Sequence, residues 1–312
     1  MIPLLSLVSA AMLLTASAQT PRNEAPRAQA PRAATAVDAY GPGRATLDSL
    51  ADETARRISR YADRRVAIAA GYRRIGTDFP SMGEHWLHTG VLLAQRVDPD
   101  RPTILAYAVI DGKTTLLGAG YVITTRGHAP ATAPGWPDYW HEHSGLLADE
   151  SGAQVGAPQQ SDSATHVWVL HVWSALPNPL GRYDSDNWAL PFARAGIAPP
   201  VGLDADMGRV FSLSVAGGDE YLRRVLTDAG LRSGDTGAID AAIEEARVAA
   251  DSVAQRARTR GAMTVADADR LRDAWGTLAR RLRSAAGPAI EPFLVPPHAH
   301  HGDPPAARSA PP

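Results

Sequence analysis

The stretch TILAYAVIDGKTTLLGAGYVI, residues 103–123, holds two runs of apolar and β-branched residues on either side of Asp111-Gly112. An Asp-Gly pair between two such runs is a strong signal for a β-hairpin, because a tight hairpin turn needs residues that tolerate a positive φ. The stretch therefore predicts antiparallel strands over 103–110 and 114–123. Residues 166–173 are bulky at every position, which predicts a third, buried strand.

Helical patterns lie on both sides of these strands. Apolar residues recur at helical spacing over 46–66, behind Thr46 as a candidate N-cap. Near the C-terminus, residues 236–257 and 265–282 carry similar stripes, and Thr264 with Asp267 forms a capping-box variant. These patterns predict an α+β fold: a small antiparallel sheet packed with an N-terminal helix, plus a C-terminal helical hairpin. Residues 71–81, which contain Gly71, Gly76 and Pro80, are expected to form a loop.

The composition divides the 312 residues into five segments. An apolar start that ends in Ala16-Ser17-Ala18 resembles a signal peptide, so a periplasmic or secreted location is expected, with no membrane span after cleavage. A retained N-terminal membrane anchor is the alternative. The predicted segments are a signal peptide at 1–18, a disordered linker at 19–45, a His- and Trp-rich α+β domain at 46–215, a helical region at 216–286 and a disordered His- and Pro-rich tail at 287–312.

Charge and cysteine content limit the kinds of partner and site that the chain is expected to have. The formal net charge is −2, which gives no electrostatic reason to expect nucleic acid as a partner. The chain contains no cysteine, which excludes disulfides, zinc ribbons and c-type haem attachment. A small molecule or a metal ion is the expected partner, and the sequence predicts no oligomeric state.

Histidines are concentrated in the middle of the chain: seven of the ten lie between His85 and His171. Neutral imidazole is the commonest metal ligand in proteins, and histidine without cysteine favours copper or zinc over softer thiolate sites. His141 and His143 share a face of any extended segment, and His171 lies in a strand predicted to be buried. We expect His85, His141, His143 and His171 to bind a divalent transition metal, copper or zinc.

Carboxylates and tryptophans accompany these histidines. Glu84 and Glu142 are candidates for a second-shell or general-base role, in which a carboxylate orients a ligating imidazole or takes a proton from metal-bound water. Trp86, Trp140 and Trp173 are candidates for a ligand-binding surface or for core filling. Three functions remain open: metal binding, a metal-free module that binds a small or aromatic ligand on the Trp-rich face, and a hydrolase that uses metal-bound hydroxide.

Several short motifs occur in a characteristic order over residues 46–195: Gly71-Tyr72, Met82-Gly83-Glu84-His85-Trp86, Val97-Asp98-Pro99-Asp100-Arg101-Pro102, Leu170-His171-Val172-Trp173 and Asn178-Pro179-Leu180-Gly181-Arg182-Tyr183. This combination resembles a family of exported bacterial proteins to which no activity is assigned. The chain departs from the family pattern at Thr103, where glutamate is usual. It also has a shortened histidine-rich loop and an additional helical region at 219–285. His85 and His171 both lie within the motifs that carry this resemblance, which supports them as site residues. The resemblance implies no reaction.

Overall fold

The computed structural model describes residues 47–126, 130, 139–143, 165–215, 217–228, 230–231 and 236–294. The predicted signal peptide, the linker at 19–45 and the tail residues after 294 lie outside this part of the chain. The described residues all belong to one compact unit. None of the described helices is both long enough and apolar enough to cross a membrane.

The architecture is α+β, as the sequence predicts, and is built on one antiparallel sheet. The strands are β1 (Arg73–Phe79), β2 (Gly83–Leu87), β3 (Ile104–Ile110), β4 (Lys113–Arg126), β5 (His141–His143) and β6 (Thr165–Val172). Among the described residues they form a six-stranded sheet in the order β1-β2-β3-β4-β6-β5. The hairpin around Asp111-Gly112 is confirmed, with both residues at positive φ.

The helices that precede the last strand are short. They are α1 (Leu47–Ile58), α2 (Arg64–Ala69) and α3 (Thr89–Ala94), with a 3₁₀ turn at Ser59–Tyr61. The apolar stripe of α1 packs on one face of the sheet, where Leu50 and Ala51 join Tyr121 and Leu170 in a single apolar cluster. This packing confirms the predicted N-terminal helix. We call this side of the sheet the helix-covered face.

The remaining helices follow β6 and form the C-terminal region. They are α4 (Leu190–Arg194), α5 (Ala205–Ser212), α6 (Gly218–Asp228), α7 (Gly237–Arg260), α8 (Val265–Ala286) and α9 (Glu291–Leu294), with a 3₁₀ turn at Gly287–Ile290. The long helices α7 and α8 pack against each other, and Thr264 and Asp267 form a complete capping box at the start of α8. The predicted helical hairpin is therefore confirmed.

The C-terminal region packs against the sheet through α6. The ring of Tyr221 lies 5.9 Å from the ring of Phe79 at the end of β1, and Arg224 donates a hydrogen bond to Thr77. Further from the sheet, Phe192 stacks on Phe211 with ring centres 4.0 Å apart. The face of the sheet that carries Phe79 and His85 is thereby closed by helices that lie more than 100 residues later in the chain.

One local prediction was wrong. Residues 71–81 do not form a plain loop, since β1 occupies most of this stretch and pairs with β2 across a tight turn. In the following stretch, His85 lies within strand β2, and His88 caps helix α3 by accepting a hydrogen bond from the Val91 amide. The Gly and Pro residues that indicated a loop mark the turn and the irregular pairing at Gly76 instead.

Candidate functional site

Strand register places His85, His141 and His171 on one face of the sheet. His85 on β2 pairs with Ala106 on β3, and Gly120 on β4 pairs with His171 on β6. His141 on β5 pairs with Val169, which lies two residues before His171 and therefore shares its face. We call this side, opposite the helix-covered face, the histidine face.

Three imidazoles meet on the histidine face. The rings of His85 and His171 have centres 5.8 Å apart, and those of His141 and His171 have centres 5.0 Å apart. All three side chains are buried. The structure thus brings together three of the four histidines that the sequence selected as metal ligands. For the fourth, His143, and for Glu142, only the strand backbone is described, so predictions about their side chains lie outside the described residues.

The His171 imidazole has a fixed orientation. Its Nδ1 lies 2.6 Å from the carbonyl oxygen of Ser185, which can only accept a hydrogen bond. Nδ1 therefore carries the proton, and Nε2 keeps the lone pair that would bind a metal ion. Burial lowers the pKa of His171, while the Ser185 carbonyl and the negative charge of Asp186 act in the opposite direction. The ring is therefore neutral near pH 7.

His85 has a buried nitrogen without a partner. Its Nε2 is inaccessible to solvent and makes no hydrogen bond in the described structure. Burial, reinforced by the neighbouring His171, lowers the pKa of His85 to about 3, so this imidazole is also neutral at physiological pH. The ring packs at 5.2 Å from Phe79. A buried polar nitrogen without a partner carries a free-energy cost that an incoming ligand can remove.

Glu84 does not lie beside the histidines, so the expectation that it acts on their ligands was incorrect. Neighbouring residues on a strand point to opposite faces, and Glu84 therefore extends away from His85. Its carboxylate pairs with Arg64 at 2.9 Å and Arg74 at 3.1 Å, and it accepts a hydrogen bond from the Trp86 indole. These contacts give Glu84 a structural role on the helix-covered face.

The candidate tryptophans lie in different environments. Trp140 is buried on the helix-covered face in the cluster that contains Tyr121. Trp86 is partly buried, with the Arg64 guanidinium 5.1 Å above its ring. Trp173 is buried beside the histidines: its ring centre lies 5.5 Å from that of His171, and its Nε1 donates to the Asp184 carbonyl. Of the three, Trp173 contacts the histidine cluster.

The loop after β6 supplies groups that the sequence did not single out. The Ser185 carbonyl lies against His171, Asp186 follows Ser185 in the loop, and Ser81 contacts Asp186 from the turn between β1 and β2. The sequence signal for this loop was the motif at 178–183, which ends two residues before Ser185. The acidic side chain of Asp186 shortly after this motif was the available indication of that residue, whereas Ser185 acts through its backbone carbonyl.

Within the described part of the chain, no group of three or more His, Cys, Asp or Glu side chains is arranged to hold a metal ion. The three rings are close, but their nitrogens do not converge on one point. Comparison with protein-family models, curated proteins and solved structures gives no match. The chemistry of the site therefore has to be inferred from these residues themselves.

Proposed function

We propose that the protein is exported and binds one divalent transition metal ion, copper or zinc, through the buried histidines His85, His141 and His171. One observation carries this proposal: the Nε2 atom of His85 is buried and has no hydrogen-bond partner in the described structure. Beside it lies a second buried imidazole, that of His171, whose Nδ1 donates to the Ser185 carbonyl. The lone pair of the neutral His85 ring thus has no hydrogen-bond donor to accept from in the described structure, and the neutral His171 ring lies beside it.

The spacing of the rings supports the same proposal. With metal–nitrogen bonds of about 2.0–2.1 Å, two imidazoles on one tetrahedral ion have ring centres roughly 5 Å apart. The observed separations are 5.0 Å and 5.8 Å. Binding then requires that the His85 and His141 side chains rotate so that their nitrogens face a common point.

The donor set favours a borderline metal. Three imidazoles suit zinc and copper, whereas calcium and magnesium prefer oxygen ligands. The chain has no thiolate to offer. Trp173 and Phe79 flank the rings and exclude water from two sides, which strengthens electrostatic interactions inside the site.

Export is supported by the sequence alone, through the apolar N-terminal stretch that ends at Ala16-Ser17-Ala18. The rival function, a metal-free module that binds an aromatic ligand, finds less support, because Trp140 and Trp173 are buried within the fold and Arg64 covers Trp86.

Titration of the full chain with Zn²⁺ and Cu²⁺ tests the proposal. The protein should carry alanine at His298, His300 and His301, so that the tail cannot contribute ligands, and should be prepared without an affinity tag. One ion per chain is expected by calorimetry, and His171→Gln should abolish this binding. Stoichiometric binding that survives His171→Gln, or no binding to the parent protein, contradicts the proposal.

A further inference from the structure

Asp186, which directly follows the hydrogen-bond partner of His171, is held by four hydrogen bonds. Its Oδ1 accepts a hydrogen bond from the Ser81 hydroxyl at 2.5 Å, and its Oδ2 accepts one from the Ser185 hydroxyl at 3.1 Å. Its backbone carbonyl accepts from the Asn178 side-chain amide at 2.8 Å, and its backbone amide donates to the Asp184 carboxylate at 3.1 Å. Both backbone groups and both carboxylate oxygens are thus engaged.

These bonds join two distant parts of the chain. Ser81 lies in the turn that leads into β2, the strand of His85, and its carbonyl also accepts a hydrogen bond from the Asn187 amide. Ser185 lies in the loop after β6, the strand of His171. Asp186 therefore couples the segment that delivers His85 to the segment whose carbonyl orients His171.

We propose that Asp186 is a positioning residue of the metal site: it holds the Ser185 carbonyl against the Nδ1–H group of His171, and its negative charge balances the ion that the neutral imidazoles bind. This inference rests on the proposed metal-binding function. The role is distinct from ligation, because both carboxylate oxygens of Asp186 are occupied by serine hydroxyls.

Charge balance gives the second reason for this assignment. Three neutral imidazoles leave the charge of a divalent ion uncompensated in a buried site, which is costly in a medium of low dielectric constant. Glu84 is on the other face, paired with two arginines. The Asp186 carboxylate, in contrast, accepts a hydrogen bond from Ser185, whose carbonyl in turn accepts one from His171 Nδ1. Carboxylates that support ligating histidines in this way commonly contribute tenfold to hundredfold in metal affinity.

Two substitutions separate this role from a structural one. Asp186→Asn keeps the size of the side chain and one accepting oxygen but removes the charge, and Asp186→Ala removes the anchor altogether. Asp98→Asn is the control for loss of one carboxylate charge, since Asp98 lies in a different loop, where it accepts from the Asp100 amide. Ser81→Ala deletes one hydrogen bond to Asp186 and replaces Asp186→Ala in the experiment if that variant does not fold.

Two readouts are needed. The first is the Zn²⁺ dissociation constant from competition with a chromophoric chelator: we expect Asp186→Asn to raise it by about 10- to 100-fold and Asp98→Asn to leave it within twofold. The second is the tautomer of His171 in metal-free protein, from long-range ¹H–¹⁵N spectra of the imidazole. The parent protein should show the Nδ1–H form, and Asp186→Ala or Ser81→Ala should populate the Nε2–H form.

The outcomes distinguish the two claims. If the parent protein binds no zinc, the proposed function fails, and the tautomer measurement still decides whether Asp186 orients His171. An unchanged dissociation constant in folded Asp186→Asn would overturn the charge-balancing role. A tautomer unaffected by loss of the Asp186 or Ser81 side chain would overturn the positioning role. A merely structural residue would lower the melting temperature without changing either readout.

Discussion

The imidazole rings of His85 and His171 lie 5.8 Å apart, although their strands β2 and β6 are separated by β3 and β4. Three strand spacings of about 4.8 Å would place the two backbones roughly 14 Å apart in a flat sheet. Small residues lie between them: Ala106 pairs with His85, and Gly120 pairs with His171. A Cβ atom at Gly120 would approach the Ile104 Cβ tightly, at 3.3 Å, and would touch the His171 ring at 3.5 Å, so the glycine keeps this part of the face open.

Metal binding should stabilise the folded chain. Saturation at a hundredfold excess over the dissociation constant contributes about 2.7 kcal/mol, which raises the melting temperature by several degrees. We expect a chelator to remove this increase in the parent protein, and His171→Ala to show no difference between chelator and zinc. His300→Ala, in the tail, should keep the full shift. Calorimetric melting curves with and without chelator make the comparison, and a chelator-sensitive His171→Ala protein would place the site elsewhere.

Glu84 should affect stability but not metal affinity. Glu84→Gln leaves Arg64 and Arg74 without their carboxylate on the helix-covered face, and we expect the free energy of unfolding to fall by about 1–2 kcal/mol. The zinc dissociation constant should stay within twofold, because the side chain extends away from His85. Denaturant titration and zinc titration of the same variant test both parts. A tenfold loss of zinc affinity would show that Glu84 acts on the site.

Gly83 is required by a close approach of two strands. Its φ is +73°, and an added Cβ would overlap the carbonyl oxygen of Tyr107 on β3. Gly112 has a similar φ of +72° but open space around its Cα. We expect Gly112→Ala to cost about 1–2 kcal/mol for backbone strain alone, and Gly83→Ala to cost clearly more because β2 must also move. Urea denaturation of both variants gives the comparison, and equal losses of stability would count against the close packing.

The stability of the C-terminal helices should depend on pH through Asp267. Burial alone would raise the pKa of this carboxyl, but hydrogen bonds from Thr264 and Arg256 and the charge of Arg260 outweigh it and hold the pKa at about 2. Since this value lies below the usual 3.8, the stabilisation is complete above about pH 4 and is lost as the pH falls toward 2.

Two substitutions at the start of α8 test the capping box and that pH dependence. Thr264→Ala removes the side chain that caps α8 and should cost about 1 kcal/mol at pH 7. Asp267→Asn should reduce the loss of stability between pH 4 and pH 2, as measured by circular dichroism during denaturant titration. An unchanged pH dependence in Asp267→Asn would show that other carboxyl groups govern acid unfolding.

Local signals in the sequence predicted local structure well. The Asp111-Gly112 turn and the capping box of Thr264 are determined by residues a few positions apart, and both were confirmed. Strand β1 was missed because its glycine and exposed charged positions resemble a loop, and only pairing with β2 makes it a strand. The sequence of one strand alone does not reveal which other strand it pairs with.

Only part of the candidate site could be predicted, because local sequence indicates which residues are buried but not which distant residues contact them. Buried histidines among apolar residues indicated His85, His141 and His171, and the register then placed them on one face. The role of Glu84 depended on whether residues 83–87 were strand or helix, and in a strand it points the opposite way. Ser185 contributes a backbone carbonyl, which any residue type could provide, so no sequence pattern could have identified it.

Metal content tests the central claim most directly. Full-length protein with alanine at the three tail histidines should be loaded with zinc, passed through a desalting column and analysed by mass spectrometry for metal and protein together. The account predicts close to one zinc ion per chain, and none when His85, His141 and His171 are replaced by glutamine. Protein that retains no zinc, or a triple variant that retains the same amount as its parent, would contradict it.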